Sequence, residues 1–216
     1  LHSDGKQTPT AIANAMKAVG LSWGVLSDHN TIAGIKEWAT NSTGDFIAVW
    51  GNEITSEPSI RSQLNGFGHM NQSFIKELSA TFPSLKNIWA RAVYIDHNDV
   101  QSIIDHTVNQ KGLISINHPY SVWDWSGRFK SWGKVKNFDA IEVWNGEPPH
   151  CETLNDWDSN RVNINTWAVQ TWFSFLNAGN KISGFAGSDC HDIYGTSSYP
   201  KGEYYWTTTT GNPRTY

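Results

Sequence analysis

Short apolar runs that lead into an acidic residue or a histidine recur along this chain, and they constrain its fold more than any other feature. The run that begins at Ile182 passes through Gly187 into Asp189 and His191. If the backbone stays extended there, side chains two residues apart project together, so Asp189 and His191 share a face while Cys190 turns away. A carboxylate and an imidazole on one face can bind a metal ion. Taken alone, the same residues also fit a helix N-cap and a surface histidine.

Strand-like and helix-like segments alternate along the rest of the chain. This alternation is typical of an α/β fold with mostly parallel strands, in which ligands bind at the carboxyl ends of the strands. Thr8 and Pro9 open the first helix, since threonine caps a helix and proline suits the first helical position. The expected helices begin near residues 9, 32, 98 and 163. The expected strands are 21–26, 46–50, 66–71, 113–116, 138–143, 182–191 and 203–210.

Strand after strand in this prediction ends in a possible metal ligand. Imidazole and carboxylate donors without thiolates suit zinc, iron or manganese in a multinuclear hydrolytic site. The two cysteines, Cys151 and Cys190, lack the spacing of a thiolate zinc site, and whether they form a disulfide stays open. The candidate residues at the strand ends are Asp28, His29, Glu53, His69, His118, Asp189 and His191.

The composition narrows the range of functions. A net charge of −4 over 216 residues gives no sign of a nucleic-acid partner. No apolar run is long enough to span a bilayer. The twelve tryptophans are explained by packing more readily than by stacking on sugars, and a glycan-binding domain is kept as an alternative. The low content of charged residues favours an exported, extracytoplasmic protein over a cytoplasmic one.

Six segments that contain the candidate residues follow one another along almost the whole chain. They are His2-Ser3-Asp4-Gly5, Ser27-Asp28-His29-Asn30-Thr31, Gly51-Asn52-Glu53, Gly68-His69, Asn117-His118-Pro119 and Gly187-Ser188-Asp189-Cys190-His191. Together they resemble the PHP family (named for polymerase and histidinol phosphatase), in its carbaryl-hydrolase-like branch. The resemblance implies a distorted seven-stranded (β/α) TIM-like barrel of PHP type.

The resemblance also implies that residues 1–216 form a single metallohydrolase domain. The family opens with a His-x-His motif, of which only the second histidine, His2, is present. We therefore expect the domain to be truncated at its N-terminal edge, and the abrupt ending at Tyr216 leaves room for truncation there as well.

In that family the barrel holds two or three divalent ions, which here would be zinc, manganese or iron. The resemblance makes Glu53 the ligand that bridges the first two ions. Glu142 and Asn145, which end a further expected strand, are candidates to lie beside the pocket. The implied ligands are His2, Glu53 and Asp189 for the first ion, Glu53, His69 and His118 for the second, and His29, His191 and Asp4 for the third.

The implied activity is hydrolysis of a small-molecule phosphoester, either a monoester or a diester. Two metal ions that share a carboxylate lower the pKa of a shared water, and the resulting hydroxide attacks phosphorus or a carbonyl carbon. Asp28, Glu53 and His191 are the expected catalytic residues, with Asp28 orienting His29 or accepting a proton. Hydrolysis of a carbamate or carboxylic ester is the first alternative, and a non-catalytic binding module of the same fold is the second.

Overall fold

The computed structural model describes residues 3, 5–56, 68–78, 100–120, 129–145, 156–191 and 193. Over these residues the chain is a mixed α/β structure built on a six-stranded sheet, in which the strands lie side by side in chain order. The helices are α1 Pro9–Ala18, α2 Ile35–Ala39, α3 Val100–Asn109 and α4 Asp156–Asn177. The strands are β1 Trp23–Leu26, β2 Ile47–Ser56, β3 Gly68–Ser73, β4 Leu113–Asn117, β5 Ala140–Asn145 and β6 Ser183–Gly187.

Five of the six described strands run in the same direction, which agrees with the expectation of a mostly parallel sheet. β1 and β2 are parallel, as are β4, β5 and β6, but β3 runs antiparallel to both of its neighbours. His69 therefore lies at the start of its strand rather than at its end. It still reaches the same sheet edge as the other candidates, because it pairs with Thr55 on β2 and with Asn117 on β4.

The sheet is strongly curled into a half-barrel. Six flat strands about 4.8 Å apart would separate the two outer strands by about 24 Å. The rings of His29, just after β1, and His191, just after β6, are nevertheless only 6.4 Å apart. The backbone N–H of Lys6 also donates to the carbonyl of His191 at 2.9 Å. A seventh strand was expected at 203–210, which lies outside the described residues.

Alternation along the strands separates an apolar face from a polar one. Ile54, Met70, Ile116 and Ile141 are buried on the face that packs against α3. A smaller core forms around Trp38 beneath α1 and α2. Because side chains alternate with a period of two, Glu53, Asn71, Asn117 and Glu142 project from the opposite, concave face. This face carries the candidate site.

Two of the described tryptophans have clear packing roles, whereas Trp23 is 40% exposed. Trp38 is fully buried, and its indole N–H donates to the carbonyl of Val49 at 2.8 Å. The indole of Trp172 donates to the carbonyl of Ile182 at the same distance.

Among the described residues, no helix is both long enough and apolar enough to cross a membrane.

Candidate metal centre

Glu53 lies at the centre of a cluster of imidazole rings. Its carboxylate is buried, with the residue 5% exposed. Oε1 is 2.9 Å from His69 Nδ1 and 3.4 Å from His118 Nε2, and Oε2 is 3.7 Å from His29 Nδ1. Possible ligand atoms of His29, Glu53 and His69 all lie within 4.8 Å of one another. This spacing would let a single cation contact all three side chains.

The local backbone explains how these groups meet. β2 continues past its apolar part to Ser56, so Glu53 lies within the strand rather than beyond it. The segment after β1 runs alongside Glu53: the Glu53 N–H donates to the carbonyl of Asp28 at 3.0 Å, and the Asn30 N–H donates to the carbonyl of Glu53 at 2.8 Å. The start of β3 and the end of β4 then bring in His69 and His118.

Polar residues that sequence reasoning did not select hold the cluster in place. The Asn117 amide donates to Glu53 Oε1 at 3.2 Å, and the Ser115 hydroxyl donates to Asn117 Oδ1 at 3.3 Å. The Thr55 hydroxyl contacts His29 Nδ1. The period of two in β2 is a signal that could have identified Thr55, because it places Thr55 on the same face as Glu53.

The cluster fits a divalent cation. Within the described part of the structure, His69 Nε2 and His118 Nδ1 are buried and have no hydrogen-bond partner. Buried polar atoms without a partner destabilise a fold, so each such atom in a native protein calls for an explanation. Coordination of a cation would satisfy a free imidazole nitrogen, and a donor set of nitrogen and oxygen without sulfur suits zinc, manganese or iron.

The electrostatics favour an ionised Glu53. Burial raises the pKa of Glu53, but the charges of His29 and His69 and hydrogen bonds from His118 and His69 outweigh burial and hold the pKa well below its usual value. Burial lowers the pKa of His69, and Glu53 offsets only part of that effect. Burial also lowers the pKa of His118, yet the hydrogen bond and charge of Glu53, together with the charges of Glu142 and Asp189, raise it to about 9. The site therefore stabilises positive charge next to Glu53.

A second buried carboxylate lies beside His118. Glu142 Oε2 accepts hydrogen bonds from the His118 backbone N–H at 2.7 Å and from the Asn145 side-chain amide at 3.1 Å. Burial raises the pKa of Glu142 to about 8, and the charge of Asp189 adds to this while the charge of His118 opposes it. Glu142 and Asn145 thus lie next to the cluster, as expected.

The expected extended arrangement of Asp189 and His191 is wrong. β6 ends at Gly187, and Asp189 has a φ of 50°, which belongs to the left-handed region rather than to a strand. The two side chains are still close, because His191 Nδ1 is 3.9 Å from Asp189 Oδ1 and donates to the Asp189 carbonyl at 2.8 Å. The Asp189 side chain is 34% exposed and the His191 side chain is 45% exposed, so this pair is more open to solvent than Glu53.

His29 lies in the compact group with Glu53 and His69, although the family resemblance assigned it to a third ion together with His191. Asp28 is placed less centrally. Asp28 lines a small cleft together with Ser3, whose hydroxyl oxygen accepts a hydrogen bond from the His29 N–H at 3.0 Å. His2, Asp4 and Cys151 lie outside the described residues.

Comparison with known proteins shows a shared fold. No family model and no curated protein matches the chain. A crystal structure of a protein from Bifidobacterium adolescentis, assigned as a metal-dependent phosphoesterase, aligns with a TM-score of 0.52 and 14% identity over 88% of this chain and 84% of that one. An amidohydrolase from Chromobacterium violaceum, with bound sulfate and no metal, aligns with a TM-score of 0.51 and 16% identity over the same shares. At these identities the likeness concerns the fold alone.

Proposed function

We propose that this chain is a metal-dependent hydrolase of PHP type that binds two or three divalent ions. The observation that carries the proposal is the buried Glu53 carboxylate within 3.7 Å of the imidazoles of His29, His69 and His118. The two similar structures add support, because both are named as hydrolases and one as metal-dependent. The carbaryl-hydrolase-like branch, suggested by the sequence motifs, is the part of the family we propose.

The proposed ligands extend beyond the compact group to the neighbouring strand ends. Glu53 is the proposed bridging ligand, because Oε1 faces the imidazoles of His69 and His118 while Oε2 faces that of His29. Asp189 is near enough for its charge to affect the pKa of His118. The full proposed set of metal ligands is His2, Asp4, His29, Glu53, His69, His118, Asp189 and His191.

Four residues around the Glu53 cluster have roles in the proposed reaction. A bound divalent cation supplies a lowered pKa for water and neutralises the charge that develops on the substrate. Asn117 fixes the rotation of the Glu53 carboxylate through Oε1. His191 and Asp189 occupy the open side of the site, where their exposure allows contact with substrate and proton exchange with solvent. Asp28, next to His29, is the second candidate for proton transfer.

Phosphoesters are the proposed substrate class, and carbamates or carboxylic esters are the second candidate. One similar structure is named as a phosphoesterase and the other as an amidohydrolase, so both phosphoryl and acyl centres are represented among relatives of this fold. The same donors would serve either reaction, because both develop negative charge on an oxygen of the substrate.

The test is turnover by metal-loaded protein on matched aryl substrates. Purified protein is stripped with a chelator, reloaded separately with Zn²⁺, Mn²⁺ or Fe²⁺, and assayed with 4-nitrophenyl phosphate, bis(4-nitrophenyl) phosphate, 4-nitrophenyl acetate and an aryl carbamate. We expect metal-dependent release of nitrophenol from a phosphate. Release from the acetate or carbamate alone would select the second candidate. Bound metal without turnover of any substrate would instead indicate a binding module.

A further inference from the structure

The backbone at His118 is held in an unusual conformation. His118 has a φ of 24°, on the side of the φ/ψ map that residues with a Cβ rarely adopt. Pro119 follows it, and a proline disfavours the right-handed helical conformation at the preceding residue. A residue that contributes its ring to the Glu53 cluster is thus placed by a backbone turn that needs support from its surroundings.

Glu142 provides a contact at this turn. One of its oxygens, Oε2, accepts a short hydrogen bond from the His118 N–H at 2.7 Å. The other oxygen, Oε1, lies against Gly187, where an added Cβ would come within 2.4 Å of it. The carboxyl group, which projects from within β5, therefore lies between the ends of β4 and β6, and Gly187 leaves the space it needs.

The turn at His118 needs a hydrogen-bond acceptor at position 142, but not an ionised one. A glutamine at this position could accept from the His118 N–H without burying a carboxylate, and burying a charge is costly. The Glu142 carboxyl group lies directly behind the neighbouring cluster, where His118 Nε2 is 3.4 Å from Glu53 Oε1. In metal sites, hydrogen-bonded groups behind the ligands orient those ligands and tune their affinity for the ion.

We infer that Glu142 is a positioning residue that holds the His118 backbone turn and thereby aims the His118 imidazole into the metal cluster. The inference rests on the proposed function, since it assigns His118 as a ligand. Glu142 acts through His118, and it is not proposed to contact substrate.

The experiment compares Glu142→Ala and Glu142→Gln with the wild-type chain in two measurements. The first is titration with Co²⁺ alone, followed by the visible absorption of the bound ion. We expect Glu142→Ala to weaken Co²⁺ binding about 10- to 100-fold, the range found when groups behind metal ligands are removed. Glu142→Gln keeps an acceptor oxygen, so it should recover much of this affinity.

The second measurement needs no metal. Hydrogen exchange of the His118 backbone amide, followed by NMR in the metal-free protein, should accelerate by roughly two- to tenfold in Glu142→Ala, as expected for losing a typical hydrogen bond. Gln72→Leu is the matched control, because Gln72 is a fully buried polar residue on the opposite face of the same sheet and hydrogen-bonds to Thr107. That variant should lose stability while keeping the Co²⁺ spectrum.

The outcomes separate this inference from the proposed function. Wild-type affinity for Co²⁺ together with unchanged His118 exchange in Glu142→Ala would overturn the inference and leave the metal site standing. Absence of Co²⁺ binding by the wild-type chain would overturn the proposed function. In that case the His118 exchange rate still decides whether Glu142 holds the turn.

Discussion

At the scale of single residues, Glu53 is unusual in combining burial with three imidazole neighbours. A buried carboxylate is stable only when it is paired and hydrogen-bonded, and here His69, His118 and Asn117 provide these contacts. Its pKa is held well below the usual value, so the carboxylate stays ionised and available to a cation at neutral pH.

Changing Glu53 to Gln should remove metal binding and hydrolysis while the fold persists. The substitution preserves shape but removes the negative charge that would be shared between two ions. We expect metal affinity to fall by more than the roughly 100-fold that changes behind a ligand can cost. Metal content per chain after desalting measures the effect, with circular dichroism to check the fold.

His106→Ala is the control for that experiment. His106 lies on α3, and α3 packs against the apolar face of the sheet rather than the polar one. The variant should keep its metal and its rate. Full metal content and activity in Glu53→Gln would show that another carboxylate is the bridge.

Asn117→Ala tests how the carboxylate is oriented. Removing the amide leaves Glu53 Oε1 without the donor at 3.2 Å, and losing a hydrogen bond to a buried charge costs about 1–3 kcal/mol. We expect the free energy of unfolding of the metal-free protein to drop by about that amount, measured by urea denaturation. An unchanged unfolding free energy would mean that Asn117 does not support Glu53.

At the scale of elements, the sequence places the candidate residues well and misses the direction of one strand, β3. Apolar runs mark buried strands, so the positions of Asp28 and His118 after such runs could be predicted from local pattern. The direction of β3 could not, because it depends on which strands pair, and short-range periodicity does not record pairing. Glu53 was placed after its strand because the apolar run stops at Trp50, whereas pairing with β3 extends the strand through polar residues.

The end of β6 shows a second limit. The alternation rule predicts a shared direction for Asp189 and His191 only while the backbone is extended. The left-handed φ of Asp189 breaks that condition. Aspartate is among the few residues that tolerate this conformation, but its presence does not require it. The two side chains meet through a turn that sequence periodicity cannot anticipate.

Replacing Gly51, in the antiparallel part of the sheet, with alanine should destabilise the fold more than replacing Gly24, in the parallel part. A Cβ at Gly51 would come within 2.1 Å of the Gln72 backbone carbonyl, whereas a Cβ at Gly24 would meet the flexible Met16 side chain. Because the backbone of β3 cannot move aside easily, we expect Gly51→Ala to cost about 1–3 kcal/mol, and Gly24→Ala clearly less. Thermal unfolding of both variants measures the difference, and equal losses would argue against the β2–β3 register.

At the scale of the whole molecule, the curled sheet brings chain segments that are far apart in sequence to a common edge. The rings of His29 and His191, from the two ends of the sheet, lie 6.4 Å apart at that edge. The two similar solved structures share this fold. In such an arrangement a cation bound at the edge would connect several strands at once, so metal binding should contribute to global stability.

Chelation should therefore lower the melting temperature. A ligand that binds only the folded state stabilises it by about 2.7 kcal/mol at 100 times its dissociation constant. For a chain of this size that corresponds to a shift of roughly 5–10 °C. Differential scanning fluorimetry with EDTA, and again after adding Zn²⁺ or Mn²⁺ in excess, measures the shift. A melting temperature that does not respond to either addition would contradict the prediction.

Anomalous diffraction from crystals soaked in Zn²⁺ is the most direct test of a cation held by the Glu53 cluster. We predict an anomalous peak within about 2.0–2.2 Å of a Glu53 oxygen and of an imidazole nitrogen from His29, His69 or His118. A zinc-soaked crystal with no anomalous density among these four side chains would contradict it.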